Sequence, residues 1–161
     1  SLQCAERLLG DKARLVSHTF ELVLEIVTPG RLLVRSSAKE VQIPGNNGYL
    51  GILPGHAPLI TELGIGEITY RENGQAHSLA VAWGFAEVLP ERVTILAETA
   101  EHAGEIDVRR EEQAKKRAEQ RLTSSDPSVD CARAQRALTR ATSRLQVAQR
   151  QQTAKSESRL P

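Results

Sequence analysis

The residues of this chain whose spacing could do chemistry are arginines. Arg133, Arg136, Arg140 and Arg144 recur every three or four positions, and Arg150, Lys155 and Arg159 follow, against only Asp130 and Glu157. Residues four apart on a helix share a face. Guanidinium forks on one face can grip carboxylate or phosphate oxygens bidentately. Such a face suits an acidic protein surface or a phosphate-bearing ligand, and it is also what a plain solvated helix presents. Nucleic acid fits less well, because no Phe, Tyr or Trp follows Phe85 to stack on bases.

The usual catalytic patterns are absent: the sequence contains no GxxxxGK[ST], HExxH, CxxC or GxSxG. The histidines, His18, His56, His77 and His102, have no fixed partner spacing, and the carboxylates are scattered like solvated surface charge. His56 alone merits weighing, as a structural group or partner contact ahead of a hydrolase residue, since no nucleophile or acid is positioned with it. Cys4 and Cys131 lie far apart and form neither a disulfide framework nor a metal cluster. The sequence therefore predicts no active site, no metal and no required cofactor.

The elements that carry these residues fall into two parts. Residues 1–104 hold 8 Lys and Arg against 12 Asp and Glu, a net −4, whereas residues 105–161 hold 13 against 8, a net +5. That asymmetry predicts different partners for the two parts. Aromatic residues are only 3%, so the core must be aliphatic. No apolar run reaches the ~18 residues of a membrane span, so membrane association must come through a partner.

Phe20–Val27, Leu32–Arg35, Val41–Ile43, Ile68–Arg71, Gln75–Val81, Phe85–Leu89 and Arg92–Leu96 read as short strands. Asn73-Gly74 and Pro90-Glu91 mark tight hairpins. Many short strands predict an antiparallel sandwich or barrel. Between them runs GILPGHAPLITELGIG, Gly51–Gly66, whose glycines, prolines and aliphatic residues predict a buried, sharply bent crossover, or an ordinary tight turn. After Glu98 the period changes. A helix is expected over Ile106–Leu122, capped by Asp107, with Glu111 and Glu112 four residues before Lys115 and Lys116. A second is expected over Pro127–Gln151, opened by Asp126 and Pro127, with a seam of Cys131, Ala134, Leu138, Ala141, Leu145 and Ala148. Alanine methyls bury little apolar area, so this hairpin should dock weakly and be able to move. The expected layout is a loose extension (1–19), a β domain (20–104), a two-helix hairpin (105–152) and a polar tail (153–161).

GILPGHAPLITELGIG, followed by Gly84-Phe85-Ala86-Glu87-Val88 and Val93-Thr94-Ile95-Leu96-Ala97-Glu98, resembles the epsilon subunit of the bacterial F-type ATP synthase over roughly Phe20–Gln151. Residues 1–19 precede the usual start, Trp83 stands where a second glycine is common, and Asn47-Gly48-Tyr49-Leu50 replaces a loop that often carries an acidic residue.

The resemblance implies a β-sandwich of about ten short antiparallel strands and a C-terminal α-helical hairpin. It implies a non-catalytic central-stalk subunit that couples c-ring rotation to ATP synthesis and lies peripherally on the cytoplasmic face of the bacterial inner membrane. Its implied partners are the gamma subunit, the c-subunit ring and, through the hairpin, the alpha/beta catalytic head. Asn47, Tyr49 and His56 would be partner contacts of the sandwich, and Arg133 and Arg136 those of the hairpin. The family's ATP-binding pattern, Ile-Asp-x-x-Arg-Ala, is matched by Ile106, Asp107 and Arg110 but ends in Glu111, with Arg117, Arg140 and Arg144 as supporting arginines. Regulatory ATP is the one small ligand so implied. A stand-alone adaptor whose basic hairpin binds nucleic acid or another acidic partner is the alternative.

Overall fold

The structure, a computed structural model, describes residues 20–157; the extension expected over 1–19 and the last residues of the polar tail lie outside them. Strands β1 (Leu22–Thr28), β2 (Arg31–Ala38), β3 (Glu40–Gly45), β4 (Gly48–Ile52), β5 (Leu59–Glu72), β6 (Gln75–Leu89) and β7 (Arg92–His102) form one sheet in the order β2-β1-β7-β6-β5-β3-β4. Neighbouring strands are antiparallel except β1 and β7, a parallel pair within an expected antiparallel set. The Asn73-Gly74 turn takes positive φ at both residues, 49° and 79°, as a type I′ hairpin requires.

Strands β5, β6 and β7 are 14, 15 and 11 residues long, longer than the sequence pattern indicated. Each switches the parity of its core-facing residues midway. In β5 the core side passes from Leu63 to Ile68 and Tyr70, in β6 from Leu79 and Val81 to Ala86 and Val88, and in β7 from Val93, Ile95 and Ala97 to Ala100. Pairing registers are the same on both sides of the switch, but Trp83 has no partner on either neighbouring strand. The sheet is therefore folded over a corner at Trp83-Gly84 into two layers, with the aliphatic core between them. Counting each long strand as two segments recovers the ten short strands expected.

Gly84 makes the corner possible. Its φ is +120°, and a Cβ there would lie 2.0 Å from the Leu96 carbonyl oxygen. No other residue permits β6 to pass so close to β7.

The Gly51–Gly66 stretch is less buried than expected. Ile52 and Leu63 enter the core, but Leu53 and Ile60 are 58% and 72% exposed and Leu59 also reaches solvent. The stretch divides between β4, a loop and β5, so alternate side chains of the strand face outward.

A 3₁₀ turn, Ala103–Glu105, leads to α1 (Val108–Leu122) and then α2 (Cys131–Glu157). Arg31 donates to both oxygens of Glu105 at 2.9 and 2.8 Å, tying this turn to β2. That bond holds the Glu105 carboxyl below the ordinary glutamate range. Asp107 caps α1, accepting from the Arg110 N–H at 3.1 Å. The second helix starts later than expected. Asp126 accepts from the Ser128 N–H in a separate turn, and Asp130 accepts from the Arg133 N–H as the cap. It also continues through Glu157, past the expected hairpin end.

Gly84→Ala should destabilise the fold by roughly 3 kcal/mol or more, combining backbone strain with a steric clash. Gly30→Ala, where a Cβ would meet nothing within 4 Å, should change stability by about 0.5 kcal/mol or less. Urea unfolding of both variants checks the contrast; similar midpoints would exclude the corner as a constraint.

Candidate functional site

The hairpin lies on the outer face of one layer, held mainly by α2, with Val108 at the start of α1 packed against the same cluster. Val147 and Ala148 of α2 pack on Ala80, Ala103 and Ile106. Of the expected seam, Ala134, Ala141 and Ala148 are buried, Leu138 and Leu145 are half-buried, and Cys131 is exposed. Val147, fully buried, is the contact the seam pattern missed, because it faces the sandwich and not α1. Polar contacts supplement this small interface. Arg150 pairs with Glu67, a carboxylate only 8% exposed. The Arg144 Nε lies 2.8 Å from Glu101 of β7, and its Nη1 lies 3.6 Å from Glu111 of α1. One guanidinium thus spans three elements.

The candidate nucleotide residues separate into two groups. Arg110, Arg117, Arg140 and Arg144 line one cavity of about 230 Å³ between α1 and α2, together with Glu111. Ile106 instead belongs to the apolar contact beneath α2, and Asp107 is occupied as a helix cap. Glu111, expected beside Lys115, faces Arg144. Arg140 lies over the Trp83 ring, 5.3 Å from its centroid. Two of the four arginines are therefore already engaged within the chain. A phosphate entering here would have to compete with the Glu101 and Glu111 carboxylates for Arg144.

A larger cleft of about 520 Å³ opens between the sheet and the end of α2, lined by Tyr70, Arg71, His77, His102 and Arg150 among others. Its charged groups are largely paired internally: Arg71 with Glu40, Arg150 with Glu67, and His77 near Glu72. The Tyr70 and His77 rings stack at 4.9 Å. Burial, then the nearby Glu72 charge, raises the Tyr70 hydroxyl above its ordinary pKa.

The candidate partner contacts of the sandwich also divide. Asn47 is exposed at the β3–β4 turn. The Tyr49 hydroxyl accepts from the Glu67 N–H at 3.1 Å, and its oxygen would lie 2.7 Å from a Cβ at Gly66. Tyr49 is thus anchored across β5 at its tip, although its ring is largely exposed. His56 is half-buried; its Nδ1 donates to the Ala57 carbonyl at 2.7 Å and its backbone N–H donates to Leu53. Gly55 donates to Pro90, so this loop is fastened to the β6–β7 turn. Arg133 and Arg136 are exposed near the start of α2.

Strand pairing exposes a further surface on the other layer. Leu32 pairs with Val27, Val27 with Leu96, and Leu96 with Phe85, forming one row across β2, β1, β7 and β6. Leu32, Leu96 and Phe85 are 48%, 56% and 53% exposed. The row ends at Glu62, and the adjacent row carries Glu25, Thr94, Glu87 and Ile60. It is an apolar stripe with carboxylates along its edge, on the face opposite the hairpin. The sequence pattern did not show this row, because only cross-strand register joins the four residues.

Comparison with known proteins matches this two-part architecture. Residues 21–103 match the family described as ATP synthase, Delta/Epsilon chain, beta-sandwich domain, and residues 105–149 its long alpha-helix domain. The ATP synthase epsilon chain of Koribacter versatilis (strain Ellin345) is 65% identical over 112 residues, 70% of this chain and 78% of that one. That of Moorella thermoacetica is 50% identical over 128 residues, 79% of this chain and 96% of that one. A chain of the Euglena gracilis mitochondrial ATP synthase (OSCP/F1/c-ring, rotational state 1) has the same fold, with a TM-score of 0.70 at 24% identity, covering 80% of this chain and 81% of that one. With sandwich and hairpin both matched in order, the chain belongs to the ATP synthase delta/epsilon family, as an epsilon-type subunit.

Proposed function

We propose that this chain works in the central stalk of a proton-translocating ATP synthase, joining the gamma subunit to the c-subunit ring. In this reading it turns with them and couples proton flow to ATP synthesis. It is held peripherally at the cytoplasmic face of the bacterial inner membrane, and its hairpin restrains ATP hydrolysis by reaching the alpha/beta head. The observation that carries the reading is the apolar row Leu32, Val27, Leu96 and Phe85. An exposed apolar stripe across four strands marks a docking face, and the neighbouring Glu62 and Glu87 favour a partner with basic flanks, Glu25 being paired with Arg35 at 3.1 Å. We assign gamma to this row, and the c ring to the Asn47 turn and the neighbouring His56 loop. Among the described residues no helix is long and apolar enough to cross a membrane, which fits attachment through the complex.

Phe85→Glu with Leu96→Glu should weaken gamma binding by about 30-fold or more, the scale of central interface residues. Both side chains face outward, so unfolding midpoints should hardly move. Undiminished stalk assembly by the double variant would remove gamma from this face.

The hairpin's part in restraint falls to its free cations. Among the described arginines of α2, Arg140, Arg144 and Arg150 are engaged within the chain, which leaves Arg133 and Arg136 for an acidic surface of the head. Arg133→Ala with Arg136→Ala should raise ATP hydrolysis of the whole enzyme a few-fold at low salt, since exposed pairs contribute about 0–1 kcal/mol each. The difference should shrink in high salt, where screening already weakens such contacts. Wild-type hydrolysis by the double variant at low salt would argue against restraint through these residues.

Regulatory ATP is supported by one observation, the convergence of Arg110, Arg117, Arg140 and Arg144 on a single cavity. Glu111 opposes it as an internal anion. Wild-type protein should bind ATP weakly, Glu111→Ala more tightly, and Arg140→Ala with Arg144→Ala not at all. Calorimetry on the isolated chain reads this directly; no heat from either wild type or Glu111→Ala at millimolar ATP would dismiss the site.

A further inference from the structure

The corner of β6 is occupied by a residue ill-suited to its backbone. Trp83 has φ +56°, in the left-handed region where a bulky side chain is strained. It lacks a pairing partner on both β5 and β7. Glycine would adopt this conformation without strain, so the corner itself does not call for an indole. What the indole does is visible on the hairpin side: the Arg140 guanidinium of α2 lies over its ring, 5.3 Å from the centroid. One turn later Arg144 meets Glu101 of β7 at 2.8 Å. Two successive arginines thus hold α2 at the corner, one on a ring face and one on a carboxylate. Few large apolar groups share the task, since the cluster under α2 is mostly alanine with Val147 and Ile106.

We propose that Trp83 is a positioning residue for the hairpin: its strained backbone is kept because its indole face latches Arg140 and holds α2 folded on the sandwich. Cation–π attraction is strongest for the Trp ring and grows as the pair is desolvated, and Trp83 and Arg140 are both half-buried. The latch is a property of this chain's own residues, and it opens when Arg140 is drawn to another partner. The inference rests on reading the hairpin as a mobile element. The test reads docking in the isolated full-length chain, so a hairpin that docks through Trp83 yet leaves hydrolysis untouched would overturn the functional reading and not the latch.

The test is amide hydrogen exchange on the full chain, comparing wild type with Trp83→Gly, Trp83→Phe, Arg140→Gln and the Trp83→Gly/Arg140→Gln double variant. Trp83→Gly should speed exchange over residues 138–150 of α2 by roughly three- to tenfold, the range of a partly buried cation–π pair. Exchange in β5–β7 should stay unchanged or slow, because the backbone strain is gone. Arg140→Gln should speed α2 to a similar degree, the double variant should go no further, and Trp83→Phe should restore part of the protection. Trp83 is the only tryptophan, so Arg140→Gln should also shift its fluorescence towards that of a solvated indole. Unchanged α2 exchange in Trp83→Gly and Arg140→Gln would overturn the latch. So would additive effects in the double variant, or a loss of protection shared equally by sandwich and hairpin in Trp83→Gly.

Discussion

Where β6 crosses β7, the space that a Cβ on Gly84 would fill is taken by the Leu96 carbonyl. That contact lets three long strands turn over one corner and exchange their inward and outward sides. Without the turn, Leu79 and Val81 would face the core while Ala86 and Val88 faced solvent, and no closed core could form. The two layers, the register that aligns the exposed row and the platform under α2 all follow from it. Gly66 plays a smaller version of the same part: Pro44 and Tyr49 approach so closely that a Cβ would lie 2.7 Å from each.

The two outer faces differ in how firmly they are held. The sandwich core is built from fully buried Leu, Ile and Val on six strands, each contributing about 1.5–3 kcal/mol when removed from water. The hairpin rests on a few alanines, Val147 and Ile106, supplemented by Arg144 and Arg150. Global unfolding is therefore governed by the sandwich, and α2 can open at lower free energy than β5–β7. Glu67 limits that ease. It is a buried carboxylate neutralised by an arginine from α2, and a buried charge without its partner is costly unless water reaches it.

Charge is organised along the same division. An acidic sandwich and a basic hairpin attract each other across α2, so Arg144 and Arg150 are satisfied at home while Arg133 and Arg136 remain available. Arg140 is intermediate, held by a neutral ring rather than a carboxylate. An acidic surface or phosphate that recruits Arg140, Arg144 or Arg150 must take it from an internal partner. Docking and recruitment are therefore linked, with opposite dependence on the same side chains.

Much of this was legible in the chain by itself. Most strands and both helices follow from local periodicity, the hairpins at Asn73-Gly74 and Pro90-Glu91 from turn chemistry, and the Asp107 cap from its position before a helical run; β4 and the first half of β5, read as a crossover, do not. GILPGHAPLITELGIG carries the resemblance to the family, and two of its glycines meet a backbone constraint: Gly55 at φ +85° and Gly66 beneath Pro44 and Tyr49. The tertiary structure decided what local pattern cannot encode. Leu32, Val27, Leu96 and Phe85 are separated in sequence and become one surface only through strand register. Glu111 and Arg144 are 33 positions apart and meet only because α1 folds back on α2. Trp83 looked like a simple departure from a glycine. Its meaning depends on a backbone angle and on an arginine 57 residues away, both set by how the hairpin lies on the corner.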